Sequence, residues 1–139
     1  MADSVLVPLD GSEQSWNALD HAVAEFEDAE ICVINVIDPI EAGYSSEATA
    51  VGYAEEWFEK AKESAQGLFD DAEERTGREL TTAVEVGRPA RTIVDYAEDE
   101  GYDQIVMGSH GRSGVSRILL GSVAETVVRR SPVPVTVIR

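Results

Sequence analysis

Lysine is almost absent from this chain of 139 residues: Lys60 and Lys62 stand beside nine arginines and 27 acids. The resulting net charge of −16 disfavours nonspecific binding to DNA, RNA or anionic membrane, which clustered cations would have to provide. Cysteine is as scarce. Cys32 is the one thiol in the sequence, so no intramolecular disulfide forms, and a cytoplasmic setting is expected. No apolar run nears the roughly 20 residues that cross a bilayer. Met1-Ala-Asp-Ser-Val-Leu-Val has no basic residue ahead of its apolar run, so it does not read as a signal peptide. Neither a membrane nor a nucleic-acid partner is expected.

What is present points to a folded domain. Hydrophobic residues make up 43 %, which argues against disorder, and the length suits a single domain over residues 1–139. An acid-rich, lysine-poor surface fits a cytoplasm at very high salt, where screening removes self-repulsion; a halophilic source is the expectation. The charge is uneven. Residues 1–100 carry 25 acids and 6 bases, whereas residues 101–139 carry 2 acids and 5 arginines. Anion binding would explain the basic island.

Short β-branched runs alternate with helical patterns. Residues 4–9 are continuously apolar and predict a strand buried on both faces. Trp16, Leu19, Val23 and Phe26 recur at helical spacing behind Ser12, a suitable N-cap. Residues 31–37 predict a second buried strand, and residues 38–50 a long loop. Val51, Ala54, Phe58, Ala61, Ala65, Leu68 and Ala72 mark a long amphipathic helix that ends near Gly77. Residues 80–86 read as a more polar strand, and Pro89 suits the first turn of the next helix. Residues 104–107 predict a fourth strand, 122–130 a fourth helix and 133–138 a last strand. The expected fold is α/β: a doubly wound five-stranded parallel sheet, order 3-2-1-4-5, with helices on both faces.

Two strand ends carry unusual chemistry. The first runs into Pro8-Leu9-Asp10-Gly11-Ser12, and the fourth into Met107-Gly108-Ser109-His110-Gly111-Arg112, with Gly121-Ser122-Val123 opening a helix. Glycines at 108 and 111 are expected to take positive φ and to let the backbone approach a ligand. Turn amides make a concavity for anionic oxygens. The helix start at Gly121 and Ser122 presents free N–H groups and the positive end of a dipole. Arg112 lies in the same loop. With no G-K-[S/T], this is not a Walker A loop, and it follows the fourth strand where the dinucleotide fingerprint would follow the first. If Asp10 and the Gly108 loop line one crevice, strands one and four are neighbours at the switch point.

These segments, with Asn35-Val36-Ile37-Asp38 and Pro132-Val133-Pro134-Val135, resemble the ATP-binding subfamily of the universal stress proteins nearly end to end. The resemblance implies that Pro8, Asp10 and Val36 surround adenine and ribose. It implies that Gly108, Gly111, Gly121, Ser122 and Val123 hold the phosphates, with Leu9, Met107, Ser109, His110 and Arg112 in the flanking motifs. ATP, or AMP or ADP, is the implied ligand, with Mg²⁺ or Mn²⁺ bound through the nucleotide. No metal site of the protein's own is expected, although Asp10 suits a nucleotide-bound cation. A homodimer through the last strand is implied too, and an apolar unpaired edge over residues 133–138 invites one independently.

Plainer structural uses compete at several positions. Ser122 and Glu125 have capping-box spacing, and Asp10 suits a turn cap. Trp16 and Trp57 fall at core spacing, Cys32 in a buried strand. His110 reads as a loop residue near the phosphates, so no catalytic residue is assigned. The expected function is a nucleotide-dependent regulatory or stress-resistance factor. The alternatives are a slow ATPase or nucleotidyl transferase of the same fold, and a dimerisation module without a ligand.

Overall fold

A computed structural model describes residues 3–39, 51–110 (51–54 by backbone alone) and 120–139. Its strands are β1 (Ser4–Pro8), β2 (Glu30–Ile37), β3 (Thr81–Val86), β4 (Gln104–Gly108) and β5 (Val135–Ile138), and its helices α1 (Glu13–Glu25), α2 (Val51–Thr76), α3 (Pro89–Asp99) and α4 (Ser122–Arg130). All strand pairs are parallel, in the order β3-β2-β1-β4-β5. The α/β topology expected from the sequence is the one found. β5 begins two residues later than its apolar pattern suggests. Ser131 holds the preceding turn, its hydroxyl donating to the Val133 carbonyl at 2.7 Å and accepting from the Val133 amide at 3.1 Å.

Alternation along β1 builds two cores. Val5 and Val7 face α1 and α2, packing with Leu19, Ala22, Phe69 and Ala72. Leu6 faces the other way with Cys32, Ile34 and Ile105, against Ile93 and Ala97 of α3 and Val127 of α4. Each fully buried valine, leucine or isoleucine among them contributes about 1.5–3 kcal/mol. The described ion pairs, such as Arg75 with Asp20 at 2.8 Å, are all about half exposed or more, and such pairs contribute roughly 0–1 kcal/mol. The apolar layers hold this fold.

The sheet opens where its winding reverses. β1 registers with β2 over five residue pairs and with β4 over two, Val5 with Gln104 and Leu6 with Ile105. Asp103 ties the lower end, its carboxylate accepting the amides of Asp3 and Ser4 at 3.0 and 3.1 Å. At the upper end β1 stays with β2, Leu9 N–H donating to the Ile34 carbonyl at 2.9 Å. Above the carboxyl ends of β1 and β4 lies a crevice, the usual ligand position in such sheets.

Candidate functional site

The β1 end is fixed from both sides. Asn35 Nδ2 donates to the Leu9 carbonyl at 2.9 Å, and one Asp10 carboxylate oxygen accepts the Ser12 amide at 2.9 Å. Ser12 then caps α1 through the Ser15 amide at 3.2 Å. Asp10 therefore serves the turn with Oδ1 and lines the cavity as well.

Gly108 lacks the positive φ expected of it, and packing explains its missing side chain. A Cβ there would lie 2.8 Å from the backbone carbon of Gln14. The missing side chain makes room for the first turn of α1. Ser109 then joins three segments: its amide donates to the Ile138 carbonyl and its carbonyl accepts the Gly121 amide, both at 2.7 Å. These two amides point into the protein and are spent. His110 is 5 % exposed, with Nδ1 3.1 Å from Ser109 Oγ, and its Nε2 has no partner among the described residues.

The start of α4 differs from the capping box that Ser122 and Glu125 suggest. Gly121 is the N-cap and Ser122 the first helical residue. Glu125 sits one position too late and instead accepts from Arg129 at 2.6 Å. The amides of Ser122, Val123 and Ala124 precede the first intrahelical bond, Glu125 N–H to the Gly121 carbonyl. No described residue accepts from them. Such amides at the positive end of a helix dipole make an anion site.

Around these groups lies a cavity of about 610 Å³, within the range of small-molecule sites. Pro8, Leu9, Asp10, Val36, Met107, Gly108, Ser109, His110, Gly121, Ser122 and Val123 all line it. The expected residues Gly111 and Arg112 lie outside the described residues, as does most of the 38–50 loop. No lysine or arginine lines the cavity among the described residues. No cluster of three or more metal-ligating side chains occurs among the described residues either.

One wall was not legible as a site. Trp57, Ala61, Ser64 and Leu68 of α2 line the cavity together with Ile93 of α3. Trp16 packs against the first core as its spacing suggests, whereas Trp57 lines the crevice. The helical period is the same whether a stripe meets a core or a cavity, so the pattern gave no signal.

The model of the universal stress protein family matches residues 1–139. Universal stress protein MJ0531 of Methanocaldococcus jannaschii is 38 % identical, over 97 % of this chain and 81 % of that relative. MJ0577 of the same organism is 33 % identical, over 100 % and 96 %. Its solved structure superposes with a TM-score of 0.82 at 35 % identity, over 98 % of this chain and 94 % of that one. A universal stress protein solved in complex with cAMP superposes at 0.73 with 25 % identity, over 99 % and 97 %. No described helix is long and apolar enough to cross a membrane. With a family model spanning every residue and relatives this similar along nearly their whole length, the chain belongs to the universal stress protein family.

Proposed function

We propose that residues 1–139 form one nucleotide-binding domain that holds an adenine nucleotide, ATP first among them, in the crevice between β1 and β4. The observation that carries this reading is the set of unpartnered amides at Ser122, Val123 and Ala124, opening on the same cavity as His110 and Asp10. Phosphate belongs at the helix end, and the glycine motif makes Gly111 and Arg112 further candidates to hold it. Ribose and base belong toward Asp10, Pro8 and Val36. Adenine is supported by the relative solved with cAMP. A cation would ride on the phosphates and meet Asp10. The protein acts in stress resistance by changing partner or conformation when the nucleotide binds, in the cytoplasm, as a homodimer joined along β5.

Thermal shift with ATP, AMP and GTP tests the ligand; about 100-fold excess over Kd stabilises by roughly 2.7 kcal/mol. Ser122→Pro tests the amides. Proline is accepted at the first helical position, and Gly121 before it already has φ −67° and ψ 161°, the conformation that a residue preceding proline prefers. The fold should persist while ATP affinity falls about tenfold, the loss of one hydrogen bond to a charged group. Unchanged affinity in Ser122→Pro would refute the phosphate assignment. Steady ADP release with Mg²⁺ or Mn²⁺, lost in Asp10→Ala, would make the protein a slow ATPase. A monomeric mass by light scattering at working salt would reject the dimer.

A further inference from the structure

α2 is longer than the strand that precedes it. Its 26 residues span about 39 Å at 1.5 Å per residue, whereas the eight residues of β2 span about 26 Å. Among the described residues its contacts with the core begin at Ala65 and continue through Leu68, Phe69 and Ala72. Leu68 reaches the β1–α1 turn, where a Cβ on Gly11 would meet its Cδ2 at 3.4 Å. The turns before Ala65 extend past the carboxyl edge of the sheet. They place Trp57, Ala61 and Ser64 on the cavity in one helical stripe, spaced four and three residues apart.

The cavity therefore has two unlike ends. On the α4 side it offers open amides and a buried imidazole nitrogen. On the α2 side it offers an indole, the Ala61 methyl and the Leu68 side chain, with Val36 at the end of β2. A ligand that satisfies both ends carries an anion on one and a flat apolar group on the other.

We infer that the projecting half of α2 is a wall of the ligand site and that the Trp57 indole receives the nucleotide base. This rests on the nucleotide reading above and adds a recognition residue from an element that the glycine motif does not contain. Base–aromatic stacking is sequence-tolerant and worth at least about a fivefold gain in affinity. Trp57 therefore sets affinity for the base-bearing end and leaves the phosphate end unaffected.

The test is calorimetric titration of the full chain with ATP and with inorganic tripolyphosphate. Trp57→Ala should weaken ATP about tenfold, Trp57→Phe by less than about threefold, and neither should change tripolyphosphate binding. A second measurement leaves position 57 intact. In Trp16→Phe the remaining indole is Trp57, and saturating ATP should quench its emission where tripolyphosphate does not. An ATP affinity unchanged in Trp57→Ala, an equal loss for ATP and tripolyphosphate, or emission indifferent to bound ATP would each overturn the inference while leaving the nucleotide site standing. If the unaltered protein binds no nucleotide, both readings fall.

Discussion

The Gly121 amide donates to the Ser109 carbonyl at 2.7 Å, joining the cap of α4 to the end of β4. This bond holds the unpartnered amides of α4 beside the crevice, and it leaves no room at Gly121. A Cβ there would sit 3.0 Å from the Ser109 oxygen and 3.4 Å from the His110 Cα. Gly108 and Gly121 of the motif are thus packing glycines, whatever they bind.

Alanine at either position should cost stability before any ligand is added. Gly108→Ala should be the worse, because its Cβ meets Gln14 backbone at 2.8 Å and a helix must shift; about 2–3 kcal/mol is expected. Gly121→Ala should cost about 1 kcal/mol. Urea midpoints without nucleotide measure both, and the reverse order would contradict the geometry.

Asp10 separates turn from ligand by choice of substitution. Asparagine retains an oxygen for the Ser12 amide, whereas alanine loses it. Asp10→Ala should lower stability by about 1 kcal/mol, and Asp10→Asn should remain within about 0.5 kcal/mol of the parent. Both should weaken ATP if the carboxylate serves ribose or cation. Full ATP affinity in Asp10→Asn would confine the residue to its turn.

Stability should fall at alkaline pH. Burial pushes the Cys32 thiol up from its ordinary 9.0. Burial, reinforced by Cys32, pushes Tyr96 up to about 12 and raises Tyr102 as well; the two rings stack at 5.9 Å. Above pH 9 the unfolded chain releases these protons while the folded one retains them. Unfolding is then favoured progressively with rising pH, and below pH 9 these groups have no effect. A urea midpoint lower at about pH 10.5 than at about pH 8 is expected, with a smaller drop in Cys32→Ala. Thiol reagents should label Cys32 slowly until the chain unfolds.

Screening should stabilise so acidic a body. Between low and molar KCl the melting temperature should rise by about 5 °C or more, roughly 1 kcal/mol for a chain of this size. A flat or falling curve would dismiss the high-salt reading of the composition.

The elements were legible because the central strands are apolar runs and the intervening helices keep one period, and their order followed from setting Asp10 and Gly108 in one crevice. The site's ingredients were legible because Asp10 and Gly108 end neighbouring strands. What escaped depends on contacts between distant residues. Nothing near Gly108 in the sequence announces that Gln14 passes within 3 Å of its absent Cβ. Whether Ser122 or Gly121 caps α4 turns on a bond from Gly121 to Ser109, and Trp57 has the same spacing as a core residue although it lines the crevice.

Gly108 wedged against Gln14 has a further effect. The lip of the crevice that carries Asp10 leads directly into the helix on which the opposite lip rests, so the two lips cannot part independently. A nucleotide bound there as proposed would meet these two lips already joined, and affinity gained against a preformed wall requires few contacts.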